Sequence, residues 1–284
     1  MIFNKRLKFC SLERLLIIVI ILVFVGCSEN RFKEKEIRYQ FKTAQNASEI
    51  EKAYDSLFVR PLIYKTIVPL QELTVAKRKQ LFVDMMLPII VSVRYDLQQQ
   101  LDKVTFLDNR IKDGKKLHNE DLLYLDQLKK KYKAKNIEDL KMRLKPHPIS
   151  LALAQAALES GWGTSRFCAE ANNLFGVWSY SPSKGMKSLF NRGDQEIYVR
   201  QYKHMLESVE HYFLTIARAR AYRKFRKARW TNTNSFQLTK LLGSYSEDGE
   251  KYARDLKLVM KKNNFAQYDH LQLDQTALVE KPQK

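Results

Sequence analysis

The sequence predicts a mainly α domain with a smaller β contribution (α+β), and three observations carry that prediction. Residues 75–93 and 205–216 repeat apolar side chains at helical spacing. Residues 151–158, L-A-L-A-Q-A-A-L, are apolar on almost every side, as suits a helix inside a core rather than on a surface. Residues 186–190 and 196–202 alternate around N-R-G-D, the signal of a small β-hairpin. With 284 residues the chain is long enough for one large domain or two small ones.

At the N-terminus, Lys5, Arg6, Lys8 and Arg14 precede an uninterrupted apolar run over 15–25. That run is shorter than the roughly 20 residues a bilayer span needs and matches the h-region of an export signal. It ends in V-F-V-G-C, which resembles the lipobox of bacterial lipoproteins, with Phe24 where leucine is commonest. The resemblance implies a signal peptide over 1–26 and a lipidated Cys27. The protein would then be anchored in the cell envelope, on the periplasmic face or the outer membrane. An uncleaved membrane anchor is the alternative, and both put the remaining chain outside the cytoplasm. Cys10, Cys27 and Cys168 have no metal-site or disulfide spacing, and Cys168 reads as a buried structural thiol.

Residues 28–39 are polar and read as a tether, with 27–74 as a whole forming the lipidated cysteine, tether and N-terminal segment. Thr74 can cap a helix that Pro88 should kink. Residues 98–144 suggest a helical hairpin capped by Asn109 or Asn119, with the lysines of 129–135 on a solvated face. Pro148 can open the apolar helix and Gly161 can end it in the left-handed conformation. Residues 179–188 form a loop, a last helix covers about 247–263, and residues 271–284 form a loose polar tail.

Glu159 closes the apolar helix. Low-dielectric surroundings and the negative end of the helix dipole both disfavour its charged form, which prepares a carboxyl for general-acid work near neutral pH. Gln155, one turn earlier, either hydrogen-bonds Glu159 or is a satisfied core amide. Trp162, Phe175, Trp178 and Tyr180 are close in sequence, and each either stacks on a sugar face or packs the core.

The stretch A-Q-A-A-L-E-S-G-W-G-T-S, followed by N-N-L-F-G-V at 172–177, resembles the glucosaminidase family of bacterial wall hydrolases, which includes Bax-like and flagellar rod-assembly proteins. The resemblance implies a lysozyme-like helical domain with a β-hairpin lobe, here over 75–270 with a helical insertion at about 98–144. It implies endo-β-N-acetylglucosaminidase activity on peptidoglycan glycan strands, with Glu159 as the catalytic acid. The family's β lobe carries a second, variable acid. Asp194 and Glu196 are the candidates here, unless they are plain hairpin polarity or the substrate's own acetamido group acts instead. The segment G-S-Y-S-E-D-G-E-K-Y-A at 243–253 is similar to a family motif and implies Tyr245 in the cleft. An N-acetylmuramidase, a lytic transglycosylase or a non-catalytic wall-binding lipoprotein are the alternatives.

The formal charge of +19 calls for an anionic partner. The densest basic run, 217–229, suits wall carboxylates or lipid phosphates, or is a solvated helix face. The export signal argues against nucleic acid. No metal, organic cofactor or obligate protein partner is indicated.

Overall fold

A computed structural model of the chain describes residues 31–179, 181, 185–188 and 196–281. The signal segment, Cys10, Cys27, Tyr180 and Asp194 lie outside the described residues. From Glu34 onward the chain forms a single compact unit that is mainly helical, with four small sheets.

The longest element, α1 (Val75–Lys112), starts where Thr74 accepts a hydrogen bond from the Lys77 backbone. It is buried without a break from Leu81 to Val93. The expected kink at Pro88 does not interrupt it. The proline removes one ladder donor, and the Ser92 hydroxyl donates to the Pro88 carbonyl at 2.8 Å. The helix also runs well beyond the apolar stretch. The Gln- and Lys-rich residues after 97 are good helix formers, and Leu97, Leu101, Val104 and Leu107 stay buried at helical spacing.

Helices α2 (Asn119–Tyr132) and α3 (Ile137–Leu144) follow and pack on each other, whereas the hairpin turn expected at Asp113-Gly114 falls between α1 and α2. Neither predicted cap is used, since Asn109 lies within α1 and Asn119 is the first residue of α2. Asn136 caps α3 instead, accepting from the Asp139 backbone.

The apolar run forms α4 (Ile149–Glu159), buried from Ile149 to Ala157. It packs between α1 and the later helix α9 (Gly249–Lys262). Pro148 offers it no side-chain cap. The cap comes from far along the chain, where the Asp269 carboxylate accepts from the Ser150 backbone and hydroxyl, both at 2.8 Å. A carboxylate at a helix N-terminus satisfies orphan donors and complements the dipole.

Two boundaries differ from expectation. The polar segment after 33 is not a free tether, and the tail is not loose. Strand β1 (Lys35–Ile37) pairs antiparallel with β9 (Leu278–Glu280). Strand β2 (Gln40–Lys42) pairs parallel with β4 (Leu62–Tyr64), and β3 (Phe58–Val59) pairs parallel with β8 (Gln272–Leu273). The fully buried Leu62, Ile63, Tyr64, Val68 and Leu70 bind this N-terminal layer to the core.

After α5 (Arg166–Ala171), the lobe is a three-stranded sheet rather than a hairpin alone. Strands β6 (Gly185–Lys187) and β7 (Tyr198–Arg200) pair as predicted, and β5 (Trp178–Ser179) adds to the other edge of β7. The Asn173 side-chain amide donates to the carbonyls of Val177 and Arg200 at 2.8 and 2.9 Å, fastening the lobe to the helices.

Helices α6 (Met205–Arg218), α7 (Arg223–Thr231) and α8 (Ser235–Leu238) lead to α9. The basic run over 217–229 is only partly a surface. Arg226 is buried and donates to the carbonyls of Ile216 and Ala219 at 2.9 and 2.7 Å. Arg229 is buried too and donates to Met142 and Arg143 at 3.2 and 2.9 Å, using the free carbonyls at the end of α3. Arg220, Arg223, Lys224 and Lys227 remain exposed. Buried Cys168 is an inert thiol, its pKa pushed up to about 12 by desolvation. Among the described residues, no helix is long and apolar enough to cross a membrane.

The Asp269 cap has a measurable consequence. Asp269→Ala should lower stability by about 1–2 kcal/mol in urea denaturation at neutral pH, the usual cost of losing a helix cap. A change under a few tenths would show that the N-terminus of α4 finds other partners.

Candidate active site

The site is built at the C-terminal end of α4. Ser160 is buried, and its hydroxyl donates back to the Ala156 carbonyl at 2.6 Å while accepting from the Gly163 backbone at 2.9 Å. Three successive residues then take positive φ: Gly161 at 57°, Trp162 at 60° and Gly163 at 80°. Gly163 is required on two counts, since a Cβ there would also sit 2.2 Å from Ile67 Cδ1. This tight reversal ends α4 with Glu159 and turns the chain away before the carboxylate is covered.

Glu159 lines a pocket of about 320 Å³ together with Leu158, Tyr245, Ser246, Asp248, Lys251, Tyr252 and Asp255. Its pKa is raised from 4.5 to about 6, because burial penalises the carboxylate more than a hydrogen bond from Tyr252 stabilises it. The other two acids of the pocket are committed elsewhere. Asp248 caps α9 by accepting from the Lys251 backbone at 3.0 Å, and Asp255 pairs with Lys251 at 2.6 Å.

Tyr245 is held by a loop that closes on itself. A Cβ on Gly243 would lie 2.9 Å from the Gly249 carbonyl oxygen, and one on Gly249 the same distance from that of Gly243. The two glycines let the strands of the loop touch, and the Tyr245 ring stacks on Tyr252 with centroids 5.6 Å apart.

The sequence-predicted residues divide into two groups. Glu159 and Tyr245 come together in the pocket. Trp178 is half exposed on β5, a position from which a ring can meet a ligand. Three of the expected substrate contacts face the core instead. Gln155 is fully buried, and its amide donates to the Tyr252 hydroxyl at 2.9 Å rather than bonding Glu159. Phe175 is buried and stacks on Tyr212 at 4.2 Å, which removes its faces from solvent. Trp162 packs edge-on to Phe82, tilts against Phe265 and lies under Lys79 Nζ at 4.7 Å.

Glu196 is an exposed carboxylate at the start of β7. It pairs with Lys187 and accepts from Tyr198 Oη at 2.6 Å, and these contacts, Lys187 first, hold its pKa below the usual range.

Sequence reasoning missed Tyr252 as a contact of Glu159, along with the buried His147 and Tyr212 behind it. Tyr252 was legible only as an aromatic on α9, and a buried His-Tyr pair leaves no sequence period to detect. No group of metal-binding side chains occurs among the described residues.

A desolvated carboxyl whose pKa is raised to about 6, in a pocket also lined by Tyr245 and Tyr252, has the chemistry a general acid requires. Residues 134–265 match the Glucosaminidase family model, described as mannosyl-glycoprotein endo-beta-N-acetylglucosaminidase. Over 113 residues the chain is 34% identical to Protein bax of Escherichia coli (strain K12). That match covers 37% of this chain and 39% of bax, so the chain spans about two fifths of its relative's length. Among solved structures, it is similar to the catalytic domain of the autolysin Auto from Listeria monocytogenes. There the identity is 22%, with 58% of this chain and 96% of that one covered and a TM-score of 0.37. It is also similar to the glycoside hydrolase domain of FlgJ from Salmonella typhimurium, at 29% identity over 41% and 75% of the two chains, with a TM-score of 0.33.

The raised pKa of Glu159 makes a stability prediction independent of catalysis. A carboxyl raised from 4.5 to about 6 on folding leaves stability intact below pH 4.5 and costs it progressively as pH rises through 6. Glu159→Gln should therefore stabilise the protein by about 1–2 kcal/mol at pH 7.5 and by almost nothing at pH 4. Thermal melts at the two pH values check this, and equal effects at both would mean the carboxyl is not desolvated.

Proposed function

We propose that the protein hydrolyses the β-1,4-linked glycan of peptidoglycan as an endo-β-N-acetylglucosaminidase, with Glu159 as general acid. The observation that carries this is the desolvated carboxyl at the end of a buried helix, open to a tyrosine-lined pocket, within the stretch that matches the glucosaminidase family model. Glycosidic cleavage needs a proton on the leaving oxygen and stabilisation of an oxocarbenium-like centre. At pH 5–6 Glu159 supplies the first. For the second, Tyr245 lines the same pocket and can orient a sugar's acetamido group.

Among the described residues, the other pocket carboxylates are held by a helix cap and an ion pair, and Glu196 by Lys187. This favours the substrate acetamido as the internal nucleophile over a second protein carboxylate. Trp178 on the β lobe is the aromatic best exposed to stack on a further sugar ring. The N-terminal signal and Cys27 would keep the enzyme lipid-anchored in the cell envelope, within reach of the wall.

The purified protein should clear a peptidoglycan suspension, and Glu159→Gln should clear it at least about a hundredfold more slowly. Mass spectrometry of the released muropeptides should show reducing N-acetylglucosamine ends. Reducing N-acetylmuramic acid or anhydro ends would move the cut to the neighbouring bond, and clearing unchanged in Glu159→Gln would remove it as the acid. The rate should fall as pH rises above about 6, where a general acid loses its proton.

A further inference from the structure

Behind Glu159 lies a row of buried polar groups that an apolar core would not otherwise contain. Arg229 Nη1 meets His147 Nδ1 at 3.3 Å, and His147 Nε2 meets Tyr212 Oη at 2.9 Å. Tyr212 Oη donates to Gln155 Oε1 at 2.6 Å, and Gln155 Nε2 donates to Tyr252 Oη at 2.9 Å. Tyr252 lines the same pocket as Glu159, and its hydroxyl acts on the carboxylate there. His147, Gln155, Tyr212 and Arg229 are each at most 3% exposed.

The row has only one possible direction. A guanidinium has donors and no acceptor, so Arg229 must donate to His147 Nδ1. The imidazole is buried between Arg229 and Arg94, the latter donating to the His147 carbonyl, and is therefore neutral. A neutral ring whose Nδ1 accepts carries its hydrogen on Nε2, so His147 donates to Tyr212. The Tyr212 hydrogen is then turned toward Gln155 Oε1, which fixes the amide orientation and presents its NH₂ to Tyr252. Tyr252 Oη accepts that bond, leaving its own hydrogen for Glu159.

We propose that Arg229, His147, Tyr212 and Gln155 are positioning residues that aim the Tyr252 hydroxyl hydrogen at the Glu159 carboxylate and thereby set the acidity of the catalytic acid. The proposal rests on Glu159 being that acid. A bond donated to a carboxylate stabilises its charged form, so the row opposes desolvation and keeps Glu159 from becoming too weak an acid. The elements facing Glu159 contribute Asp248, Lys251, Tyr252 and Asp255 from α9 and its cap, with Tyr245 from the preceding loop. Tyr222 also acts on it electrostatically. Tyr212 is faced by His147, Gln155, Arg229, Tyr222 and Tyr245.

Tyr212→Phe removes one oxygen from the row and retains the ring stacked on Phe175. Freed from its donor, the Gln155 amide can turn its oxygen to Tyr252 and draw the hydroxyl hydrogen away from Glu159. The Glu159 carboxyl, followed by carbon-13 NMR in the full chain without glycan, should titrate about one pH unit higher in Tyr212→Phe. Tyr252→Phe should raise it similarly, and the double variant should go no further than Tyr252→Phe alone. The descending limb of the pH–rate profile should move with each. A folded Tyr212→Phe with an unmoved midpoint overturns the proposal, as does a double variant whose shifts add. Wild-type nitrogen-15 spectra supply a test that needs no variant. His147 must be the neutral Nε2–H tautomer from pH 5 to 8, and an Nδ1–H tautomer reverses the row and overturns the proposal. Because these titrations need no substrate, a wild type that cuts no glycan would sink the enzymatic reading, whereas an unmoved Glu159 midpoint sinks only the positioning by the row.

Discussion

The structure depends on one constraint, the burial of α4. A helix that is apolar on all sides gains stability only if other elements cover its whole circumference. Here α1, α9 and the 3-10 turn at Phe265–Tyr268 do so, and the Asp269 carboxylate closes the end that Pro148 leaves open. Everything chemical follows from where that burial stops. Leu158 and Glu159 are the residues of the run that reach the edge of the core, and Glu159 is partly withdrawn from water while lining a pocket. Its acidity is a by-product of packing, set by desolvation and moderated by one tyrosine.

The same constraint explains the long polar row behind the acid. An apolar helix that carries Gln155 must satisfy an amide at zero exposure, and leaving one donor or acceptor unmade there would cost about 1–3 kcal/mol. The satisfying partners come from three other places in the chain: Tyr212 on α6, Tyr252 on α9 and, one step further, His147 before α4. Among the described residues, Arg229 ends the row without a carboxylate partner. Its charge rests on the carbonyl ends of α3, the environment that favours a cation. The buried part of the basic run thus serves the interior, and its exposed part remains available to an anionic wall.

Much of the frame was legible because it is local. Helical periodicity located α1 and α6, an all-round apolar run located α4, and alternation around N-R-G-D located β6 and β7. The G-W-G after Glu159 announced a left-handed turn. Non-local features were not legible. The pairing of β1 with β9 joins opposite ends of the chain, and neither three-residue segment carries a pattern stronger than its polar composition. The full length of α1 was obscured because residues 98–112 are polar on most faces, and only the position of its neighbours shows which leucines are covered. Asp269 could not be recognised as a cap, since it lies more than a hundred residues from the helix it closes.

The sequence by itself determined the acid and its setting: an apolar helix, a carboxylate at its last turn and a backbone reversal that only glycine allows at Gly163. These are properties of residues within one turn of each other. Tertiary structure alone decided which neighbours the acid meets. Trp162 and Gln155 lie within four residues of Glu159 and Phe175 within sixteen, yet they turn into the core. Tyr252, distant in sequence, reaches the carboxylate. The physical reason is that a side chain's direction is set by the face its backbone presents and by what packs against that face, and long-range contacts supply both.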